Sequence, residues 1–377
     1  MSPRSFIDLL ENQAKTYPDL PVLRFLEDGE LDGAVSIATF ARLRRRAHSI
    51  AAALKACTAA GDRVLLVFPP GIDFVEALFG AFYAGVVAVP AYAPDPARLE
   101  RSLARLGNIV ADCAPTLALT STPFLGLAQS LTEGRMALPW LATDAVPEAD
   151  VSPHPADTND VAFLQYTSGS TGDPRGVRIT HGNLLTNSAR IREFFGQGPE
   201  SRGVMWMPPY HDMGLVGGIL QPIFSAYEMT LLSPMHVLQR PERWLLAMSA
   251  LRATTSGGPN FGYELALRAF AKGGRDQLDL SSWIVALNGA EPVRADTLER
   301  FAAFFASCGF RKEALSPCYG LAESTLVVTA SAPLAGMKTF AVDTRELRDG
   351  RVVETAALDR AQRLVGCGRP ADDTELA

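Results

Sequence analysis

Tyr166–Gly176, YTSGSTGDPRG, packs three glycines, four serine and threonine hydroxyls and one arginine into eleven residues. Glycine lets backbone approach a ligand closely, while N–H groups, hydroxyls and a guanidinium together suit a bound phosphate. The apolar runs VAFLQ before it and VRIT after it predict a hairpin-like strand–loop–strand. A flexible Gly/Ser turn is the plainer reading. The hydroxyl density, with Pro174 and Arg175 fixing the far end, favours the phosphate cradle. It is not a Walker A loop, because no Gly-Lys-Ser/Thr follows at the required spacing.

Four further stretches could take part in the same chemistry. PPYHDMGLVGG (Pro208–Gly218) places His211 and Asp212 after a double proline and before a glycine-rich apolar helix start; a capped turn would look similar. NGAEPVR (Asn288–Arg294) follows the strand-like WIVAL, at the kind of strand end where open α/β sheets bind ligands. CYGLAES (Cys318–Ser324) sets an aromatic residue, a glycine and a carboxylate at another strand end. GGPNFGYEL (Gly257–Leu265) is a small-residue stretch running into a helix, suited to lining an apolar pocket. Each alone is weak, since a lone glutamate at a strand end is more often a cap or an ion-pair partner.

These stretches need a scaffold, and the 377 residues are enough for one with a large core and two or more subdomains. Hydrophobic residues make up 47% and charged residues 20%, a globular composition, and the net charge of -6 argues against a nucleic-acid partner. Helical segments such as Phe40–Ala56 alternate with short continuous apolar runs such as DRVLLVF and VVAVPAY. That alternation predicts an α/β fold whose largely parallel sheets are covered by helices on both faces. The Pro- and Asp-rich stretch Val146–Asp160 reads as a linker, dividing a first α/β subdomain (1–157) from a second (158–330) that carries the motifs. Residues 331–377 are more polar and hairpin-like, the start of a β-rich subdomain. The closing TELA resembles the first residues of a strand, as in a chain cut from a longer one. The uncharged run Ala77–Pro94 is near the lower length of a membrane span. Gly85 reads as a helix stop, VVAV as a buried strand and Pro90 as its end, so no span is expected. Five scattered cysteines and no visible leader suit a reduced, cytoplasmic setting.

In this order and spacing the motifs resemble the adenylate-forming superfamily of acyl-CoA synthetases, nonribosomal adenylation domains and luciferases, over nearly the whole chain. Within it, PAYAPDPAR, LQYTSGSTGDPRGVRITHGNLL, MPPYHDMGLVGGILQP and GGPNFGYEL look like the fatty acyl-AMP ligases, and KTFAVDTRELRDGRVVE resembles the insertion of that branch. The resemblance implies that ATP and a fatty acid give an acyl-adenylate and pyrophosphate. The acyl group then passes to the phosphopantetheine thiol of an acyl carrier protein in polyketide or lipopeptide assembly.

By the same resemblance Thr167, Ser168, Gly169, Ser170, Thr171 and Gly172 hold the β- and γ-phosphates, with Arg175 where relatives commonly carry lysine. Gly289, Ala290 and Glu291 lie against the adenine, Tyr319 stacks on it, and Gly320, Leu321 and Ala322 complete the wall. Glu323, with Thr171, holds Mg²⁺, and His211 sits where acyl carboxylate and α-phosphate meet. Met213, Gly214, Gly257, Gly258 and Phe261 border the acyl chain, and small residues near Gly217 and Gly218 leave room for it. A ribose-gripping acid and a mobile lysine are implied beyond Ala377, so this stretch alone is expected to adenylate poorly or not at all. Arg98, Arg101 and Arg105 form a basic strip that could dock an acidic carrier protein; a solvated helix face is the plainer reading. An acyl-CoA synthetase and a non-catalytic adenylate-binding homologue remain the alternatives.

Overall fold

The computed structural model describes residues 2–94, 98–133, 137–168, 174–371 and 374–375. The alternation in the sequence becomes two stacked, helix-covered sheets. The strands in chain order are β1 (Leu23–Leu26), β2 (Val35–Ala38), β3 (Arg63–Phe68), β4 (Val87–Tyr92), β5 (Leu117–Thr120), β6 (Trp140–Ala142), β7 (Val161–Ser168) and β8 (Pro174–Thr180). They continue with β9 (Arg202–Met205), β10 (Glu228–Leu231), β11 (Thr255–Gly258), β12 (Val285–Asn288) and β13 (Leu315–Pro317). One sheet runs β6-β5-β3-β4-β7-β8 and the other β13-β12-β11-β9-β10-β1-β2.

Both faces of each sheet are covered, as continuous apolar strands require. In β3, Val64, Leu66 and Phe68 enter the core shared by the two sheets. Leu65 and Val67, pointing the other way, pack under Leu106, Ile109 and Cys113 of a flanking helix. The outer face of the second sheet is closed by an aromatic cluster around Trp206, Trp244, Trp283 and Phe301. Six helices precede β9: α1 (Phe6–Thr16), α2 (Phe40–Lys55), α3 (Ile72–Ala84), α4 (Leu99–Cys113), α5 (Thr122–Thr132) and α6 (His181–Phe195). α3 stops at Gly85 with φ 78°, as expected of a glycine at a helix end. Thr180 and Asn183 form a reciprocal capping box that opens α6, and Gly196, at φ 60°, closes it.

Three sequence expectations change. β1 and β2 lie before residue 157, yet β1 pairs in parallel with β10 in the second sheet. The hairpin β7–β8 lies after residue 157, yet β7 pairs with β4 in the first. The division at 157/158 is thus crossed twice, because sheet membership follows pairing between segments distant in sequence. Pro90 does not end its strand: it sits inside β4 opposite Leu66, beyond the point where β7 bonds to β4 at Ala88. Thr374 and Glu375 lie outside any strand.

Past β13 come β14 (Tyr319–Gly320), β15 (Val327–Ala330), β16 (Lys338–Asp343), β17 (Ala361–Gly366) and β18 (Arg369–Pro370). β16 and β17 form an antiparallel pair, which Arg363 ties to Glu299 of the helix Ala295–Phe305. All five cysteines are free thiols. Among the described residues no helix is long and apolar enough to cross a membrane.

Candidate active site

Local folding brings the motifs to the seam between the sheets. β7 and β8 pair antiparallel with Tyr166 opposite Gly176 and Thr167 opposite Arg175. Gly176 is needed there because a Cβ would press on the Tyr166 ring at 3.0 Å. The Tyr166 hydroxyl donates to Asp112 of α4, and burial, followed by that bond, raises its pKa. Gly169, Ser170, Thr171 and Gly172, the centre of the expected phosphate cradle, lie outside the described residues. The flanking Thr167 is half-buried and Arg175 is exposed.

The His211 turn is built around close backbone contacts. Its N–H donates to the Pro208 carbonyl at 3.1 Å, and its own carbonyl accepts from Leu215 at 2.8 Å. A side chain at Gly214 would collide with the Pro208 carbonyl. Asp212 then caps a π-helix, Met213–Leu220, a rare form that recurs at functional sites. His211 Nδ1 lies 2.7 Å from Asp212 Oδ1, and the Met213 N–H points at both. Buried Gln165 of β7 donates through Nε2 to the Tyr210 carbonyl at 2.8 Å, fastening the turn to the first sheet.

The two strand-end motifs meet across β12 and β13. The Asn288 carbonyl accepts from the Cys318 N–H at 3.0 Å, and Asn288 Nδ2 donates to the Gly258 carbonyl. Ala290 has φ 67°, a strained left-handed residue just beyond the strand. Gly320 abuts the Leu326 carbonyl, where a side chain would not fit. The turn between them is strapped by Asn187 of α6, which donates to the Ser324 and Val327 carbonyls at 3.2 and 2.9 Å and accepts from the Val327 N–H at 3.1 Å.

Two hollows open on this assembly, and His211 and Asp212 line both. The first, of about 170 Å³, is walled by apolar side chains including Phe195, Met205, Met213 and Leu326, with Gly289, Ala290, Tyr319 and Gly320 along its edge. Cys318 also faces it, its thiol pushed up to about 12 by burial and so uncharged. The second, of about 290 Å³, is the more polar of the two, bordered by Tyr92, Arg105, Gln165, Tyr166, Thr167 and Tyr210 together with the apolar Pro90, Ala91, Ile109 and Ala322. Burial pushes the Tyr92 phenol up to about 12, partly offset by Arg105, whose guanidinium lies 5.2 Å from the ring. Of the expected basic strip, Arg105 therefore lines this hollow and Arg98 and Arg101 do not.

Several expected residues stand outside both hollows. Gly257 packs on Leu287 and Gly258 on Trp206, so the space they leave is filled by protein. Phe261 is 45% exposed and lies edge-on to Trp206 at 5.7 Å. Gly218 packs on Met205, whereas Gly217 opens into the apolar hollow. Leu321 is held by its N–H to the Leu326 carbonyl, and Glu291 is exposed beside Ala290. Glu323 is exposed and no ion pair engages it among the described residues. No group of three metal-ligating side chains occurs among the described residues. The sequence reading missed Asn187, Gln165 and the α6 wall. The available signal was a polar Asn187 in a stripe of otherwise mostly apolar buried positions, Leu184, Ile191 and Phe195, on one helix face.

Residues 10–377 match the family model of AMP-binding enzymes. A medium-chain fatty acid–acyl-carrier-protein ligase of Moorena producens is 38% identical over 383 residues, 99% of this chain and 64% of that protein. A long-chain-fatty-acid–AMP ligase of Mycolicibacterium smegmatis is 38% identical over 367 residues, 94% of this chain and 58% of that protein. A fatty acyl-adenylate ligase from Legionella pneumophila, solved with acyl adenylate and pyrophosphate, superposes with a TM-score of 0.90 at 37% identity, covering 98% of this chain and 64% of that one. The chain spans less than two thirds of the length of these relatives.

Proposed function

The chain belongs to the AMP-binding enzyme family, and from that premise we propose that it carries the acyl pocket and part of the nucleotide site of a fatty acyl-AMP ligase. The observation that supports this most is the histidine shared by an apolar and a polar hollow. A fatty acid needs a dry channel for its chain and a polar junction for its carboxylate, and His211 stands at such a junction. In the proposed reaction the carboxylate oxygen bonds to the α-phosphorus of ATP while the bond to the pyrophosphate oxygen breaks. Catalysis of that kind is mainly positioning and neutralising crowded charge.

The residues divide the work accordingly. Met213, Gly217 and the α6 side chains would hold the chain, and each buried methylene contributes about 0.8 kcal/mol. Asp212, 2.7 Å from Nδ1, orients the His211 ring, leaving Nε2 for the reacting carboxylate and phosphate. Tyr319, half exposed at the edge, offers a face for adenine, with Gly289 and Ala290 beside it. Thr167 and Arg175 are same-level neighbours on the hairpin and would flank the phosphates. Glu323, exposed and without an ion pair among the described residues, suits Mg²⁺, which takes one or two carboxylates and keeps waters and phosphate oxygens for the rest. When bound, the ion would neutralise phosphate charge. The acceptor we propose is the phosphopantetheine thiol of an acyl carrier protein, and a reducing, cytoplasmic setting suits five free thiols.

ATP–pyrophosphate exchange by the protein at the full length of its relatives, across fatty acids of graded length, tests the reading. Exchange that needs both Mg²⁺ and a fatty acid is expected, and exchange indifferent to the acid would refute it. Offering coenzyme A and a carrier protein in parallel tests the acceptor, since a coenzyme A thioester as the main product would favour an acyl-CoA synthetase.

A further inference from the structure

The apolar hollow holds one side chain that its wall does not explain. Gln197 lines it, is only 7% exposed, and its amide oxygen Oε1, sealed from solvent, has no hydrogen-bond partner among the described residues. A buried polar group without a partner is costly, and nearly all such groups find one in protein, water or a ligand. Ile191, Phe195, Met205, Leu326 and Val327 on the same wall offer no polar side-chain atom that could serve. The position is also firmly built. Gly196 closes α6 in the left-handed region, and the N–H groups of Gly196 and Gln197 both donate to the Arg192 carbonyl.

We propose that Gln197 recognises a hydroxyl group on the acyl chain, so that the preferred substrate is a hydroxylated fatty acid rather than a plain alkanoic acid. The proposal rests on the fatty-acid reading above and narrows it to a substrate class. A hydroxyl both donates and accepts, so it can meet either end of an amide. A second carboxylate at the same place would bury an unpaired charge, so dicarboxylic acids are excluded. The hydroxyl belongs on the distal part of the chain. Asn187 grips the Ser324–Val327 turn beside the nucleotide edge, and Phe195 follows eight residues later, about 12 Å along the helix axis.

Two non-hydrolysable sulfamoyl-adenosine mimics of the acyl-adenylate, identical except for a terminal methyl or hydroxyl, test this by calorimetric titration over a series of chain lengths. At the length that reaches Gln197 the hydroxylated mimic is expected to bind about tenfold more tightly. Gln197→Leu should invert that ratio and raise the melting temperature, since a buried unpaired amide oxygen is removed. Gln197→Met serves as a second, unbranched replacement if leucine disturbs the fold. Equal affinity of the two mimics at every length overturns the proposal and leaves the fatty-acid reading standing, as does an unchanged ratio in both variants. Failure of both mimics to bind at any length overturns the fatty-acid reading with it.

Discussion

The two hollows that share His211 differ in what lines them. The apolar one draws on α6, the π-helix and the strand ends of the second sheet, and most of its wall is side chains without donors or acceptors. The polar one draws on the first sheet and α4, and three tyrosines, Gln165 and Arg105 line it. The first sheet thus brings the denser set of hydrogen-bonding groups and the second the drier wall. A reaction joining a lipid carboxylate to a phosphate requires both, and they meet where Gln165 and the Pro208 carbonyl fix the histidine turn. Under the proposed reading, the difference puts the chemistry at the seam and leaves the hollows to choose what reaches it.

His211→Ala strikes the seam itself and should have the largest effect. Fatty-acid-dependent pyrophosphate exchange is expected to fall about 10²–10³-fold, the usual consequence of deleting one group that stabilises developing charge. The side chain is 45% exposed, so the melting temperature should hardly move. A variant that exchanges at the wild-type rate would place the reacting centre elsewhere.

Asn187→Ala tests whether the apolar hollow depends on how the Ser324–Val327 turn in its wall is strapped. Three hydrogen bonds to Ser324 and Val327 disappear, and the Val327 N–H is left buried. A stability loss of about 3 kcal/mol in urea denaturation is expected. The Mg²⁺ needed for half-maximal exchange should rise as well, because Glu323 lies in the loosened turn. A stability loss with an unchanged Mg²⁺ requirement would detach Glu323 from the metal.

The contrast between the hollows was only partly legible in the sequence. The β7–β8 hairpin, the caps of α6 and the His211 motif depend on local chemistry, and their residues announce it. The glycines misled because a missing side chain does not say who occupies the space: Trp206 and Leu287 fill it at Gly258 and Gly257, whereas Gly217 faces the hollow. The β1–β2 hairpin crosses to the second sheet through pairing with β10, some two hundred residues away, and no local pattern encodes that. Gln165 and Gln197 carry no signal in the sequence, and it is their burial that gives them meaning.

Gly217→Leu sharpens the dry side. A Cβ at this position meets Leu326 Cδ2 at 3.4 Å, ordinary contact, so the rest of the leucine must enter the hollow. The preferred acid should shorten by about two methylenes, each worth about 0.8 kcal/mol in relative kcat/KM. If chain-length preference in the exchange assay does not shift, the acyl chain does not run past Gly217.

Tyr166→Phe probes the polar side and should have the smallest effect. The lost bond to Asp112 costs about 1 kcal/mol at neutral pH, because Asp112 is exposed and its carboxylate can turn to water. The pH dependence carries the sharper information. Burial and Asp112 raise the folded-state pKa of the phenol above its ordinary value near 10. Its contribution is therefore complete below pH of about 10 and is lost as pH climbs through the folded value. The stability gap between wild type and variant should be constant from neutral pH to about 10 and close above it. A gap that widens with alkali would mean that the phenolate, not the phenol, is the form held between β7 and α4.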